Sequence, residues 1–244
     1  MKKGGVRMKQ VQDTACVPQG FLAAGTYSGL CDKRVKLDLA ALVSRTDCSI
    51  VISDKMECRQ YTGKVFFLHN GTALPANARG QEIQEEVCQD IASHMHLPAA
   101  DIIFAAQGMA GQFRPSRLAD SLETLITSLA VDHGSQVGAV LDNNGDLTCC
   151  AMSAGTQSLL YGMAADGTAE TNGLCVILTD ADVTTAQLQY AVEQCRQTIN
   201  TEEFTIISIA NGAAQEYIPT NQLVKIVQDL CKQLGFQAFL QACS

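Results

Sequence analysis

The chain has 244 residues, a formal net charge of −8, 17% charged residues and no Trp. That acidity excludes the basic face a nucleic-acid binder needs to neutralise phosphates. The modest charge together with 47% hydrophobic content excludes a disordered chain, and the absence of a run of about 18 apolar residues excludes a membrane-spanning helix. With aromatics at only 5%, the core has to be built from small aliphatic side chains.

Lys2, Lys3, Arg7 and Lys9 form the only basic cluster, read as a solvated tail over residues 1–11; no apolar segment follows to make it a signal peptide. Asp38–Ser44 and Ser49–Ser53 are short apolar strands broken at Arg45-Thr46-Asp47. Lys64–His69 is a third strand, ended by the turn dipeptide Asn70-Gly71. Gln81–Leu97 is an amphipathic helix, with Ile83, Val87, Ile91 and Met95 on one face and Glu82, Glu85 and Glu86 on the solvated one. Asp101–Ala106 is a strand running into the flexible Gly108–Gly111, and Ser116–Leu129 is a second helix.

Val137–Leu141 and Leu147–Met152 read as a hairpin around Asp142–Asp146, because Asn and Gly tolerate the positive φ of such turns. Leu174–Thr179 is a strand. Asp182 caps a helix over Val183–Ile199, with Leu188, Val192 and Cys195 inward. Phe204–Ala210 is a strand ending at Asn211-Gly212. Thr220 caps a last helix to Leu234, closed by Gly235. Hairpins beside strand–helix–strand units predict a layered α+β or mixed α/β body. Residues 12–244 form a single domain, with residues 130–135 the best boundary between two halves, 12–130 and 131–244.

No residue set reads as a metal or cofactor site. The eleven cysteines are odd in number and lack C-x-x-C spacing, which fits buried thiols in a reducing cytoplasm better than a disulfide framework. His94 and His96, two apart on a helix, face different ways and make a poor metal pair. His69 and His133 have no visible triad partner. Asp142 and Asp146 lack the remaining ligands of a calcium loop. No P-loop or dinucleotide fingerprint follows a strand.

Several segments, in order, resemble the ornithine acetyltransferases, also called bifunctional glutamate N-acetyltransferases, of arginine biosynthesis. They are Val17–Gly25, Asp38–Ser44, Asn70-Gly71 through Ala76-Asn77-Ala78-Arg79-Gly80, Ala106–Gly111, Leu178–Ala181 and Ala210–Ala214. The resemblance implies an αββα-type sandwich of mixed sheets with helices on the outer faces. It also implies ancestry in enzymes that cleave themselves before a threonine and use it to carry an acetyl group from N-acetylornithine to glutamate. The family's Thr-Gly oxyanion hole falls at Gln107-Gly108. Asn70, Asn77, Asn172, Asp180 and Asn211 fall on its substrate-contacting segments.

The departures concern the chemistry. Counting back from Thr179-Asp180-Ala181 puts Asn172 at the nucleophile without a gap, or Thr171 with one inserted residue. The basic Lys-Gly-Ser-Gly segment appears as Ala165-Asp166-Gly167-Thr168, and the chain stops at Ser244, short of the family's length. An activated threonine needs a base and oxyanion donors, and the family's helpers are absent. The leading expectation is therefore a cytoplasmic, unprocessed relative with weak or no acetyl transfer that binds an amino-acid derivative. An active N-acyl amino acid acyltransferase or hydrolase using Thr171 and Gly108, and a non-catalytic binding module, are the alternatives. The bland readings are a strand exit at Gln107–Gly111, a turn at Asn172-Gly173 and a helix cap at Thr179-Asp180. Low charge and a small-residue core also suggest a homo-oligomer.

Overall fold

The computed structural model describes residues 10–11, 17–29, 37–110, 113, 115, 118–142, 147–167, 172–199 and 203–236. The strands are β1 (Gln10–Val11), β2 (Phe21–Thr26), β3 (Leu39–Ser53), β4 (Cys58–Ala73), β5 (Ile102–Ala110), β6 (Thr148–Ser153), β7 (Leu159–Ala165), β8 (Gly173–Thr179) and β9 (Phe204–Ala210). The helices are α1 (Ala78–Met95), α2 (Leu118–Thr127), α3 (Gly134–Leu141), α4 (Thr185–Thr198) and α5 (Thr220–Gln233).

The strands join as β1-β6-β7-β8-β9-β3-β4-β5, with β2 also on β3; the β4–β5 and β8–β9 pairs are parallel and the rest antiparallel. β3 serves two groups of strands. Its first half pairs with β2 and its second half with β9, and a register shift against β4 falls between Val43 and Cys48. Such a bulge bends a strand and raises its twist. The packing resolves the ladder into two layers. Phe21, Leu42, Phe66 and Leu68 from one group share a core with Tyr161, Met163, Val176 and Ile207 from the other.

Helices cover both outer faces. Ile83, Val87 and Ile91 of α1 and Leu118, Leu122 and Leu125 of α2 pack on Val65, Phe67 and Phe104. Leu188, Val192 and Cys195 of α4 and Leu223, Val227 and Leu230 of α5 pack on Cys175, Ile177 and Ile206. Each large aliphatic side chain buried this way is worth about 1.5–3 kcal/mol. The architecture is thus the layered α+β sandwich with α1, α2, α4 and α5 outside, while Val137, Val140 and Leu141 of α3 enter the central core.

Local structure departs from the sequence reading in identifiable places. Val137–Leu141 is the end of helix α3, not a hairpin strand. Gly134, Val137, Gly138 and Leu141 are buried at helical spacing, and a Cβ on Gly138 would lie 2.7 Å from Leu147. A short apolar run does not by itself separate helix from strand. The hairpin tip 143–146 lies outside the described residues. Arg45-Thr46-Asp47 does not end a strand but sits at the bulge. Asn70-Gly71 is not a turn, and β4 runs on to Ala73.

Helix α4 is capped not by Asp182 but by Thr184, in a reciprocal capping box with Gln187. Thr220 is the first residue of α5, behind Pro219, and supplies no side-chain cap. His94 Nδ1 donates to Asp90 O, 2.8 Å away, while His96 adopts φ 55° and closes α1. All eight described cysteines are free thiols, and the Sγ atoms of Cys195 and Cys231 stand 3.3 Å apart between α4 and α5.

Candidate functional site

The residues singled out in the sequence fall in separate places. Asn172 stands exposed just before β8, and Asp180 lies buried just after it. Eight residue steps of extended chain separate them by about 26 Å. Thr171 lies outside the described residues.

At the start of β8, the Gly173 N–H donates to Glu203 O at 2.7 Å, and a Cβ on Gly173 would meet the Phe204 ring at 2.5 Å. The strand therefore begins without a side chain, under an aromatic ring that is itself edge-on to Phe236, centroids 4.6 Å apart.

The far end of β8 is densely bonded. Asp180 accepts from the N–H groups of Leu159 (2.7 Å) and Gln19 (3.0 Å), and its own carbonyl accepts from Ala214 N. Thr179 Oγ1 donates to Leu159 O. Thr179 and Asp180 therefore tie β8 to β7 and to the 17–20 turn rather than capping a helix. Asn211 joins the same hub. Its Nδ2 donates to Gln19 O and its Oδ1 accepts from Ala213 N. Gly20, at φ 83°, has no room for a Cβ, which would stand 2.6 Å from Ala213. Burial raises the Asp180 carboxyl above its ordinary value, against the pull of the Leu159 and Gln19 amides.

Glu216 extends this hub, and no sequence signal marked it. Its carboxylate accepts from Thr156 N and Oγ1 (both 2.7 Å), Gln157 N (2.9 Å), and Ser158 N and Oγ (both 2.8 Å). The Thr156 and Gln157 amides hold it well below the usual carboxylate range. Gly155 is required beside it, since a Cβ there would meet the carboxylate at 2.5 Å.

Asn70 is structural in its contacts. It is buried, and its Nδ2 donates to Val140 O (2.8 Å) and Leu141 O (3.0 Å), satisfying the last carbonyls of α3. Beside it, His69 is fully buried. Its Nδ1 bonds the Asp38 carbonyl and its Nε2 accepts from Thr72 N, which together describe a neutral ring; burial lowers its pKa in the same sense.

Gln107 and Asn77 do come together. Both line a cleft of about 440 Å3 with Glu57, Arg59, Tyr61 and Gln84. Asn77 caps α1, its Oδ1 accepting from Gly80 N at 3.2 Å, so its carboxamide oxygen is already engaged. Gly80 cannot carry a Cβ, which would lie 1.8 Å from Pro75 O, and the loop before α1 is held tight against the cleft. Gly108 is locked too. At φ 132° it packs on Gly71, where a Cβ would stand 2.4 Å from the Gly71 carbonyl carbon and oxygen. Glu57, Arg59 and Tyr61 were missed in the sequence. Their alternate spacing puts them on one face of β4 and of the turn before it, a signal available once the strand is known to start at Cys58. Asn172 does not line this cleft. Among the described residues, no group of three or more His, Cys, Asp or Glu could hold a metal ion.

No family model matches the chain. It is 25% identical over 201 residues to the chloroplastic arginine biosynthesis bifunctional protein ArgJ of Zea mays, an alignment covering 72% of this chain and 43% of that protein. The chain thus spans under half the length of that curated relative. Among solved structures, the fold is similar to ornithine acetyltransferase of Mycobacterium tuberculosis, solved with ornithine (TM-score 0.50, 12% identity, 68% of this chain and 93% of that one). It is similar to a Burkholderia sp. β-aminopeptidase (0.55, 8%, 93% and 85%). It is also similar to the L-aminopeptidase D-Ala-esterase/amidase of Ochrobactrum anthropi, described as a variant of the Ntn hydrolase fold (0.52, 10%, 94% and 88%). At these identities the structural likenesses speak to the fold, and the sequence likeness adds a divergent relationship to the ornithine acetyltransferases.

Proposed function

We propose that this chain is a divergent ornithine/glutamate N-acetyltransferase-like protein that keeps its backbone uncut, carries out little or no acetyl transfer and holds an amino-acid derivative. The observation that carries the reading is Asn172. Aligned without gaps on Thr179-Asp180-Ala181, it takes the nucleophile's position, and a carboxamide has no hydroxyl or thiol to activate. Two further features support it. The residue after Asn172 is a glycine fixed to Glu203 under the Phe204 ring. Gln107, in place of the oxyanion threonine, lines a cleft that Asn172 does not reach. The solved M. tuberculosis relative holds ornithine, which supports a small amino-acid derivative as the ligand.

Intact-mass measurement of the purified chain tests the reading, together with an assay of acetyl transfer from N-acetylornithine to glutamate. The expected result is one species at 26.1 kDa and no turnover above background. Fragments beginning at Thr171 or Asn172, with turnover that Thr171→Ala abolishes, would overturn it in favour of an active threonine enzyme.

A further inference from the structure

We propose that the cleft beside β5 binds a free α-amino acid whose side chain ends in a carboxamide or ureido group; this rests on the reading that the chain holds an amino-acid derivative. Its volume of about 440 Å3 falls in the range of small-molecule sites. Among the residues lining it, Glu57 and Arg59 are the charged ones, adjacent at 3.2 Å and each about half exposed, with side-chain exposures of 54% and 50%. A half-exposed pair is weak and exchanges partners at little cost.

An adjacent anion and cation complement a ligand carrying ammonium and carboxylate on one carbon. The ammonium takes Glu57 and the carboxylate takes the donor fork of Arg59. A ligand bearing only one of these charges leaves one protein charge unmatched. Asp54 does not compete for the ammonium on equal terms, because its Oδ1 is committed to the Met56 and Glu57 amides at 2.7 and 2.9 Å and its Oδ2 stands 4.0 Å from Arg59 Nη2.

The same cleft is lined by carboxamides. Asn77 is committed to Gly80 N, and Gln84 donates to Phe104 O at 3.1 Å. The side chains of Gln81 and Gln107 make no hydrogen bond among the described residues, and Gln107 is half-buried. Each offers one planar acceptor and a donor pair. The ligand group that returns both is a primary amide or a urea. Tyr61, Leu74 and Phe104 also line the cleft and supply apolar cover for the ligand's methylenes.

The probe is L-glutamine, titrated calorimetrically into the intact chain. Saturable binding is expected, at least tenfold weaker for N-acetyl-L-glutamine, which lacks the ammonium, and for L-glutamine amide, which lacks the carboxylate. Arg59→Gln, on an exposed hairpin, is expected to weaken glutamine at least tenfold. Gln107→Leu is expected to weaken glutamine about tenfold and leave norvaline unchanged. No saturable binding of glutamine overturns the proposal. So does equal affinity for N-acetylglutamine, or an unchanged affinity in Arg59→Gln. Equal loss for glutamine and norvaline in Gln107→Leu overturns the assignment of the tail. A severed chain or measurable acetyl transfer would sink the catalytic reading above and leave glutamine binding standing. Failure of glutamine with an uncut, inactive chain sinks this proposal alone.

Discussion

The two ends of β8 are built on opposite terms. At its carboxy end, Asp180, Asn211 and Glu216 spend their polar atoms on the backbone of residues 19, 156–159 and 213, and little there is open to a ligand. At its amino end, Asn172 is exposed and the next residue is a glycine fitted under an aromatic ring. A buried polar group that loses its partner costs free energy at once, while an exposed one costs little. The polar groups at the carboxy end are thus committed to holding the layers together, and those at the amino end are not.

The sharpest way to break this comparison is Asp180→Ala. Two amides lose their acceptor in a buried place, and a loss of about 3 kcal/mol is expected, on the order of 10 °C in Tm. Calorimetry that finds it as mild as a surface substitution would mean that the hub is not holding the fold.

The next test is Glu216→Gln followed against pH. The native Glu216 carboxyl is held below its ordinary 4.5. Its contribution is complete above that value and is lost as pH falls from there toward the native pKa. Asp180 runs the other way, since its raised pKa gives a contribution present below 3.8 and lost as pH rises through the native value. Glu216→Gln is therefore expected to cost about 1 kcal/mol near neutrality and progressively less as pH falls below 4.5, so the acid limb of urea-unfolding free energy flattens. An acid limb as steep as that of the parent would reassign it to other carboxylates. The smallest effect belongs to Asn172→Ala, expected to leave stability within about 0.5 kcal/mol. A larger loss in thermal melts would mean that the open end carries structural weight after all.

Much of the sandwich is legible in the sequence because period and length agree. α1 repeats Ile83, Val87, Ile91 every turn, and β8 and β9 are short apolar runs flanked by Gly, Asn and Asp. Three misreadings share a cause, which is that local signals were overruled by distant partners. Asn70-Gly71 has turn chemistry, yet the α3 carbonyls claim the Asn70 amide and Gly71 packs on Gly108. Val137–Leu141 is apolar enough for a strand, yet its burial follows a helix. Arg45-Thr46-Asp47 looks like a break, yet Thr46 Oγ1 donates to Asn211 O across 165 residues and keeps the chain in the sheet.

The candidate site was less legible. Gln107 and Asn77, named from the sequence, line the cleft, while the alternate spacing of Glu57 and Arg59 becomes readable only once the β3–β4 hairpin is known.

The position of β9 also bears on how the molecule assembles. The meander β6–β7–β8 reaches β3 only through β9, whose residues 206–210 pair with residues 49–53. Closing a loop of that length carries an entropic cost before any contact offsets it. During synthesis, β2 to β5 have their partners early, while the second half of β3 keeps one flank bare until Ala210 has emerged from the ribosome. The last strand to arrive joins two finished pieces, so an interruption shortly before it leaves two sticky edges facing the cell rather than a smaller working fold.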